Sequence, residues 1–251
     1  MNKYNSCKLI REKLKNNTPS IGGWIQIPHP SIAEIMGQSG YDWVAIDMEH
    51  GSISRDQLPD LFRALELGGT LPLVRLGSHS EQECRSALDA GAAGVIIPKI
   101  QSAKQLQDLI VRCCWPPAGE RGVAFSRANL FGKNFNDYFL ESQTPLIIAM
   151  IEDKIGLEKI DEILNVKGLD AIFVGPYDLS ASLGIIGDFK NPKFINAMNV
   201  IKTKAKDYSI PSGVHVVEAS KDELENRINE GYKFIAYSID SVILRCGAKF
   251  D

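Results

Sequence analysis

Leu146-Ile147-Ile148-Ala149-Met150-Ile151-Glu152 and Ala171-Ile172-Phe173-Val174-Gly175-Pro176-Tyr177-Asp178-Leu179-Ser180 each run apolar and then reach a carboxylate. Short apolar runs bounded by turn residues read as strands buried on both faces, as in a parallel sheet covered by helices. Carboxylates just beyond the C-terminal ends of two such strands point into one crevice, where α/β folds bind their ligands. Two oxygen donors on rigid supports suit a hard divalent cation that keeps positions open for substrate. Two salt-bridged loop acids are the competing reading of the same residues.

Working outward, six more runs of this kind appear. They are Ile21 to Ile27, opened by Gly22-Gly23, then Trp43 to Asp47, Leu71 to Leu76, Gly94 to Pro98, Pro211 to Val217 and Phe234 to Ser238. A lead-in helix is expected over Ser6 to Asn17, where Leu9, Ile10 and Leu14 recur at helical spacing. Between the strands, helical patterns cover Pro30 to Gln38, Arg55 to Leu67, Ser80 to Ala90, Ser102 to Cys113, Gly156 to Leu164, Phe194 to Tyr208 and Lys221 to Glu230. A further helix opens near Asp178 and a last one over Ser241 to Ala248. Gly40, Gly68-Gly69 and Gly91 stop the first three helices after the lead-in. The rhythm breaks from Trp115 to Thr144, a stretch with Pro116-Pro117, Gly119, Gly122 and Gly132. A connection this long is functional or carries short elements of its own. Strands alternating with helices predict a parallel sheet, and eight strands are the number that closes a (β/α)8 barrel. No Gly-x-Gly-x-x-Gly follows the first strand, which disfavours an open dinucleotide-binding sheet. The expectation is an α/β protein, one barrel domain over residues 1–251.

Composition narrows the function class. The 251 residues are 44% hydrophobic and 24% charged, with a net charge of −3. That is an ordinary globule without a basic block, so nucleic acid is not an expected partner. No apolar run approaches the ~18 residues of a membrane span, and Met1 to Lys15 lacks a signal-peptide core. A cytoplasmic location is the expectation. The five cysteines, Cys7, Cys84, Cys113, Cys114 and Cys246, form no Cys-x-x-Cys pair and read as reduced packing thiols.

In a barrel the chemistry sits at the strand C-termini and in the loops that follow. Asp47, Glu49 and His50 fall there after the second strand, Arg75 at the third, Glu152 after the fifth and Asp178 after the sixth. An Asp47–His50 pair would fix the imidazole tautomer and raise its basicity. A histidine capping a helix is the bland alternative, and His29, His79 and His215 also lie near strand ends. Arg75, between Val74 and Leu76, needs partners if buried: an anionic substrate, or Asp47 or Glu49, or both. Backbone N–H groups where a helix opens near Asp178 suit a carboxylate, with a helix N-cap as the competing role for Asp178. Lys99, just past the fourth strand, is the one lysine placed for Schiff-base chemistry.

At these residues the chain resembles the HpcH/HpaI family of class II, metal-dependent pyruvate aldolases. The matching strings, in family order, are residues 41–51 (Tyr-Asp-Trp-Val-Ala-Ile-Asp-Met-Glu-His-Gly), 72–75, 91–98, 116–123 and 168–184. The resemblance implies a phosphoenolpyruvate/pyruvate-type (β/α)8 barrel, assembled as a homohexamer from dimers that exchange the C-terminal helix. It implies Glu152 and Asp178 as ligands of Mg2+, Mn2+ or Co2+, with pyruvate chelating that metal through its carboxylate and keto oxygens. Arg75 would hold the enolate oxygen, and His50, oriented by Asp47, would act as base on the aldol hydroxyl. Gly175, Pro176, Asp178 and Leu179 would surround the pyruvate carboxylate. Met150 stands where the family often has a glutamine, so no polar substrate contact is expected there. Residues 121–132 resemble the branch that cleaves 2-keto-3-deoxy-aldarates, one residue shorter and without a histidine often found there. Arg127 in that segment would bind a distal carboxylate or hydroxyl.

The expected activity is reversible cleavage of a 4-hydroxy-2-oxo acid to pyruvate and an aldehyde through a metal-bound pyruvate enolate. Competing readings are oxaloacetate decarboxylation, citryl- or malyl-CoA-type lyase chemistry on the same barrel, and a non-catalytic keto-acid-binding protein. A CoA substrate calls for a basic docking cluster that the sequence lacks.

Overall fold

Strands that are apolar on both faces need cover on both, and the chain supplies it by alternating strand with helix. The computed structural model describes residues 2–250. In order the elements are α1 (Lys3–Lys15), β1 (Ser20–Ile25), α2 (Pro30–Gly37), β2 (Trp43–Asp47), α3 (Leu58–Leu67), β3 (Leu71–Arg75), α4 (Glu81–Ala90), β4 (Gly94–Ile97) and α5 (Ala103–Cys113). A short 3-10 helix (Arg127–Gly132) and α6 (Phe135–Gln143) follow, then β5 (Leu146–Ile151), α7 (Lys154–Glu158), α8 (Ile160–Leu164), β6 (Ala171–Val174) and α9 (Pro176–Ser182). The chain ends with α10 (Pro192–Asp207), β7 (Ser212–Val216), α11 (Lys221–Asn229), β8 (Phe234–Tyr237) and α12 (Asp240–Gly247). Each strand pairs in parallel with the next, and β8 returns to β1 with Ser20 opposite Phe234 and Gly22 opposite Ala236. The expected (β/α)8 barrel is the fold.

The period of two along each strand sorts its side chains. Leu146, Ile148 and Met150 of β5 fill the barrel interior, whereas Ile147, Ala149 and Ile151 pack outward under the helices. Trp43 and Ala45 of β2, Leu71 and Leu73 of β3, and Ala171 and Phe173 of β6 point inward by the same rule. Extending each inward series by one step reaches Asp47, Arg75, Glu152 and Gly175, all at the C-terminal rim. The interior is packed rather than hollow. Trp43 stacks on Phe234 with ring centroids 4.2 Å apart. Gly22 makes that possible, because a Cβ there would fall 2.1 Å from the Trp43 ring.

Helix starts follow local capping chemistry. Ser80, Ser102, Asn191 and Ser220 accept backbone N–H bonds at the starts of α4, α5, α10 and α11. His29 caps α2 through its ring nitrogen, which accepts from Ser31 N at 3.2 Å. Against expectation α1 starts at Lys3 rather than Ser6 and α3 at Leu58 rather than Arg55, and one expected helix is divided. The stretch expected as Gly156 to Leu164 begins at Lys154, because Asp153 caps it through Gly156 N, and it breaks at Lys159 into α7 and α8. The break between Trp115 and Thr144 holds the 3-10 helix and α6, anchored by buried Arg121 between the Trp115 and Tyr138 rings.

Helix α1 lies across the N-terminal end of the barrel. Its Cys7, Ile10 and Leu14 join the interior cluster with Leu71, Ala93 and Leu146. Arg11 clamps it with two bonds to Asp170, at 2.6 and 2.9 Å. Among the described residues no helix is long and apolar enough to cross a membrane.

Candidate active site

The rim residues set by strand parity converge. Asp47, at 0% exposure, accepts from Arg75 through both oxygens, Nε to Oδ1 at 2.8 Å and Nη2 to Oδ2 at 2.6 Å. It also accepts from Gln26 Nε2 at 2.9 Å and from the backbone N–H groups of Glu49 and His50, each at 3.1 Å. Burial alone would raise this carboxyl, but the Arg75 guanidinium and the other donors outweigh it and hold it down to about 2. Arg75 is itself 7% exposed, lies 5.2 Å over the Trp24 ring and places Nη1 3.0 Å from Glu49 Oε2. The expected pairing of a buried Arg75 with Asp47 and Glu49 is present.

Glu152 sits on the next side of the rim at 2% exposure. Oε1 accepts from Lys99 N at 2.7 Å, and Lys99 adopts a left-handed φ of 46° to offer that N–H. Oε2 is buried and has no partner. Burial pushes the carboxyl up to about 7; the Lys99 N–H opposes this, the Glu49 and Asp178 charges add to it, and Arg75 again opposes it. Gly175 leaves the space beside that free oxygen, since a Cβ there would lie 2.5 Å from Oε2.

Asp178 is the third residue of α9, exposed and close enough for its charge to act on Glu152. Gly175 is the N-cap of α9 and Pro176 its first residue, so Asp178 does not have the N-cap role. The first helical bond runs from Leu179 N to Gly175 O at 2.9 Å, which leaves the N–H groups of Tyr177 and Asp178 ahead of it. Leu179 is buried beneath this turn. Asp47 and Glu49 hold the Arg75 guanidinium, and Glu152 feels the charges of Glu49 and Asp178 as well as Arg75, a local excess of negative charge that a divalent cation would complement. Among the described residues no group of three or more His, Cys, Asp or Glu side chains forms a closed metal cage. Two hard oxygen donors, one of them orphaned and buried, fit a cation that retains open positions.

Two expected placements need correction. His50 is exposed in the loop after β2 and donates its backbone N–H, not its ring, to Asp47. The Asp47–His50 imidazole pair is not formed, because five donors already occupy the carboxylate of Asp47. Asp47 therefore fixes the loop that carries His50. Arg127 lies at the opposite end of the barrel. Its guanidinium binds Glu66 at 2.7 and 3.2 Å and the carbonyl of Ala90 at 2.8 Å, beside Lys3. Both partners are at the C-terminal ends of helices that run away from the active rim, so Arg127 makes no substrate contact within this chain. Met150 points inward and is buried, as an apolar residue requires. Lys99 reaches the site through its backbone, and its side chain is exposed.

Sequence reasoning did not single out Gln26, Trp24 or Ser238, and it left His215 unassigned. Gln26 steadies Asp47, and Trp24 supports Arg75. Gly22-Trp24-Gln26 is an inward series, and Gly213-His215 is another; parity would have found all three side chains. A groove of about 1250 Å³ lies at the other end between α1, α10 and α11 and contains none of the expected site residues.

The family model described as HpcH/HpaI aldolase/citrate lyase matches residues 20–245. A hydroxypyruvate/pyruvate aldolase of Roseobacter denitrificans is 31% identical over 237 residues, covering 94% of this chain and 92% of that protein. A 5-keto-4-deoxy-D-glucarate aldolase of Escherichia fergusonii is 33% identical over 232 residues, covering 91% and 89%. Among solved structures, an HpcH/HpaI aldolase/citrate lyase family protein from Burkholderia cenocepacia superposes with a TM-score of 0.89 at 29% identity, covering 95% of each chain.

Proposed function

The chain belongs to the HpcH/HpaI aldolase/citrate lyase family, and on that premise we propose that it is a carbon–carbon lyase, a metal-dependent aldolase that reversibly cleaves a 4-hydroxy-2-oxo acid to pyruvate and an aldehyde. The observation that carries this reading is the free, buried Oε2 of Glu152 under Gly175, beside an arginine held ready by Asp47. Glu152 and Asp178 would hold a divalent metal, Mg2+, Mn2+ or Co2+, which when bound supplies positive charge opposite the charge that develops on the keto oxygen.

The chain's own residues do the rest. Breaking a carbon–carbon bond beta to a ketone leaves negative charge on the ketone oxygen, and Arg75 donates N–H bonds to it. Asp47 and Trp24 hold the guanidinium so that no reorganisation is needed when the charge appears. His50 takes the proton of the aldol hydroxyl, directly or through a water. The N–H groups of Tyr177 and Asp178 receive the substrate carboxylate. The homohexamer belongs to the same reading. It draws support from α12, which buries only Asp240 and exposes Ile243 and Leu244.

The test is pyruvate release from 2-keto-3-deoxy-glucarate and from 4-hydroxy-2-oxo-heptanedioate with Mg2+, with Mn2+ and with excess chelator. Metal-dependent release from either is expected. No release from a folded, metal-loaded protein would remove the aldolase reading. Glu152→Ala and Asp178→Ala should each lose metal binding and turnover while remaining folded.

A further inference from the structure

One inward side chain at the active rim has no part in the chemistry above. His215 follows Gly213 on β7, and its ring packs against Trp24 at 5.2 Å between centroids and against Phe173 at 6.4 Å. Trp24 is the same ring that carries Arg75 on the way to Asp47. The imidazole thus stands in the barrel mouth, one aromatic ring away from the guanidinium.

Its orientation is fixed from behind. Nε2 lies 3.1 Å from the carbonyl oxygen of Ser238. A carbonyl only accepts, so Nε2 carries the hydrogen and Nδ1 of the neutral ring is left as an acceptor. Ser238 is fully buried and adopts φ +64°, a left-handed conformation unusual for serine. Its N–H donates to Val216 O at 2.7 Å and its hydroxyl to Val217 O at 3.1 Å. This strained residue is tied down on two sides and aims its carbonyl at His215. Backbone held in a sparsely populated region at a site points to a functional constraint. Nδ1 has no protein partner and is not among the buried orphan atoms, so it is open to the mouth.

We propose that His215 is a specificity-determining residue whose Nδ1 accepts a hydrogen bond from a hydroxyl group of the bound substrate. The inference rests on the aldolase reading and names its substrate class: a donor or acceptor carbonyl compound bearing a hydroxyl that faces β7. A methyl or a carboxylate at that place has no proton to offer the nitrogen. Burial pushes the imidazole down to about 4, the Ser238 carbonyl opposing and the Arg75 charge adding, so the ring is neutral and accepting at pH 7. A site built to bind a hydroxyl rejects the analogue that lacks it far better than an apolar pocket discriminates by size.

The experiment compares kcat/KM for aldol addition in two matched pairs: glycolaldehyde against acetaldehyde with pyruvate as donor, and hydroxypyruvate against pyruvate with one common aldehyde. It is run on the wild type and on His215→Phe, which keeps the aromatic packing and deletes the nitrogen. His215→Leu serves as the second variant if the first does not fold. Deuterium exchange at C3 of pyruvate, without aldehyde, is measured in parallel. We expect the wild type to favour the hydroxylated member of one pair and the variant to lose at least about tenfold of that ratio, about 1.4 kcal/mol, with exchange held within about twofold. Unchanged ratios in both pairs overturn the inference, as does an equal loss across all substrates and exchange. Absence of metal-dependent exchange in the wild type is a different failure: it overturns the aldolase reading, and this inference with it.

Discussion

Replacing Gly175 by alanine asks whether the free oxygen of Glu152 is the handle for the metal. The backbone there has φ −92° and ψ 93°, which alanine adopts without strain, so the effect is confined to one added methyl. That methyl would arrive 2.5 Å from Glu152 Oε2 and 3.0 Å from its Cβ. Glu152 is enclosed, and its other oxygen is tied to Lys99 N, so the carboxylate can yield only by turning away and giving up that bond. Overpacking of this kind costs about 1–3 kcal/mol, or roughly 2–12 °C in Tm for a chain of this size. The larger effect falls on the ligand set. Disturbing the groups that orient a ligand typically costs about 10–100-fold in metal affinity, and here a ligand itself is displaced. Calorimetric titration with Mn2+ should therefore show a Kd raised at least about tenfold in Gly175→Ala. Gly122→Ala, where a Cβ meets nothing within 4 Å, should bind like the wild type. A folded Gly175→Ala protein with wild-type Mn2+ affinity would falsify the assignment of Glu152 Oε2.

Further outcomes follow from the same geometry. Folded Glu152 holds its proton more tightly than an ordinary glutamate, so its contribution to stability is full below about pH 4.5 and is lost as pH rises to about 7. In metal-free denaturant titrations the wild type should lose about 3 kcal/mol across that window relative to Glu152→Gln, and a pH-independent difference would contradict the burial argument. Arg127→Met should lower stability by about 2 kcal/mol, because Glu66 loses its closer cation and keeps only Lys3 at 3.7 Å, yet leave kcat/KM within about twofold; lost turnover at unchanged Tm would return Arg127 to the substrate. His50→Ala should slow aldol cleavage far more than pyruvate proton exchange, and equal losses would remove the hydroxyl-base role. Asp47→Asn frees the Arg75 fork and should depress cleavage and exchange together, with a drop confined to cleavage pointing instead to a role on the leaving aldehyde.

The strands were legible because their burial is local information. Trp43 to Asp47, Leu146 to Ile151 and Ala171 to Val174 were readable to the residue, since apolar runs and turn residues mark both ends. Asp47 and Glu152 were legible for the same reason, as each continues the inward series of its strand, whereas Asp178 was placed by the Gly-Pro turn that opens α9. Of the partners, only the pairing of Arg75 with Asp47 and Glu49 was legible. That Gln26 and two backbone N–H groups would also fill Asp47 depends on a neighbouring strand and on how the β2 loop turns back, and no spacing within residues 41–51 encodes it. Arg127 misled because a segment that resembles a substrate loop follows α5 and folds back on α4 at the far end of the barrel. His215 was visible as one of four histidines, but its importance lies in the Ser238 carbonyl behind it, contributed by the residue that follows β8.

The helix laid across the foot of the barrel has a consequence for traffic. With Cys7, Ile10 and Leu14 as a stopper and Trp24 and Trp43 packed in the interior, the foot of the vessel is shut. On the proposed reading the keto acid seats against Glu152 and Arg75 beneath its companion, and it should enter before that companion and leave after it. Cleavage should then discharge the aldehyde first and the keto acid last, and synthesis should run the queue in reverse. Steady-state kinetics should carry that imprint, with the keto acid competing against the intact substrate for the empty enzyme and the aldehyde meeting only an enzyme already charged.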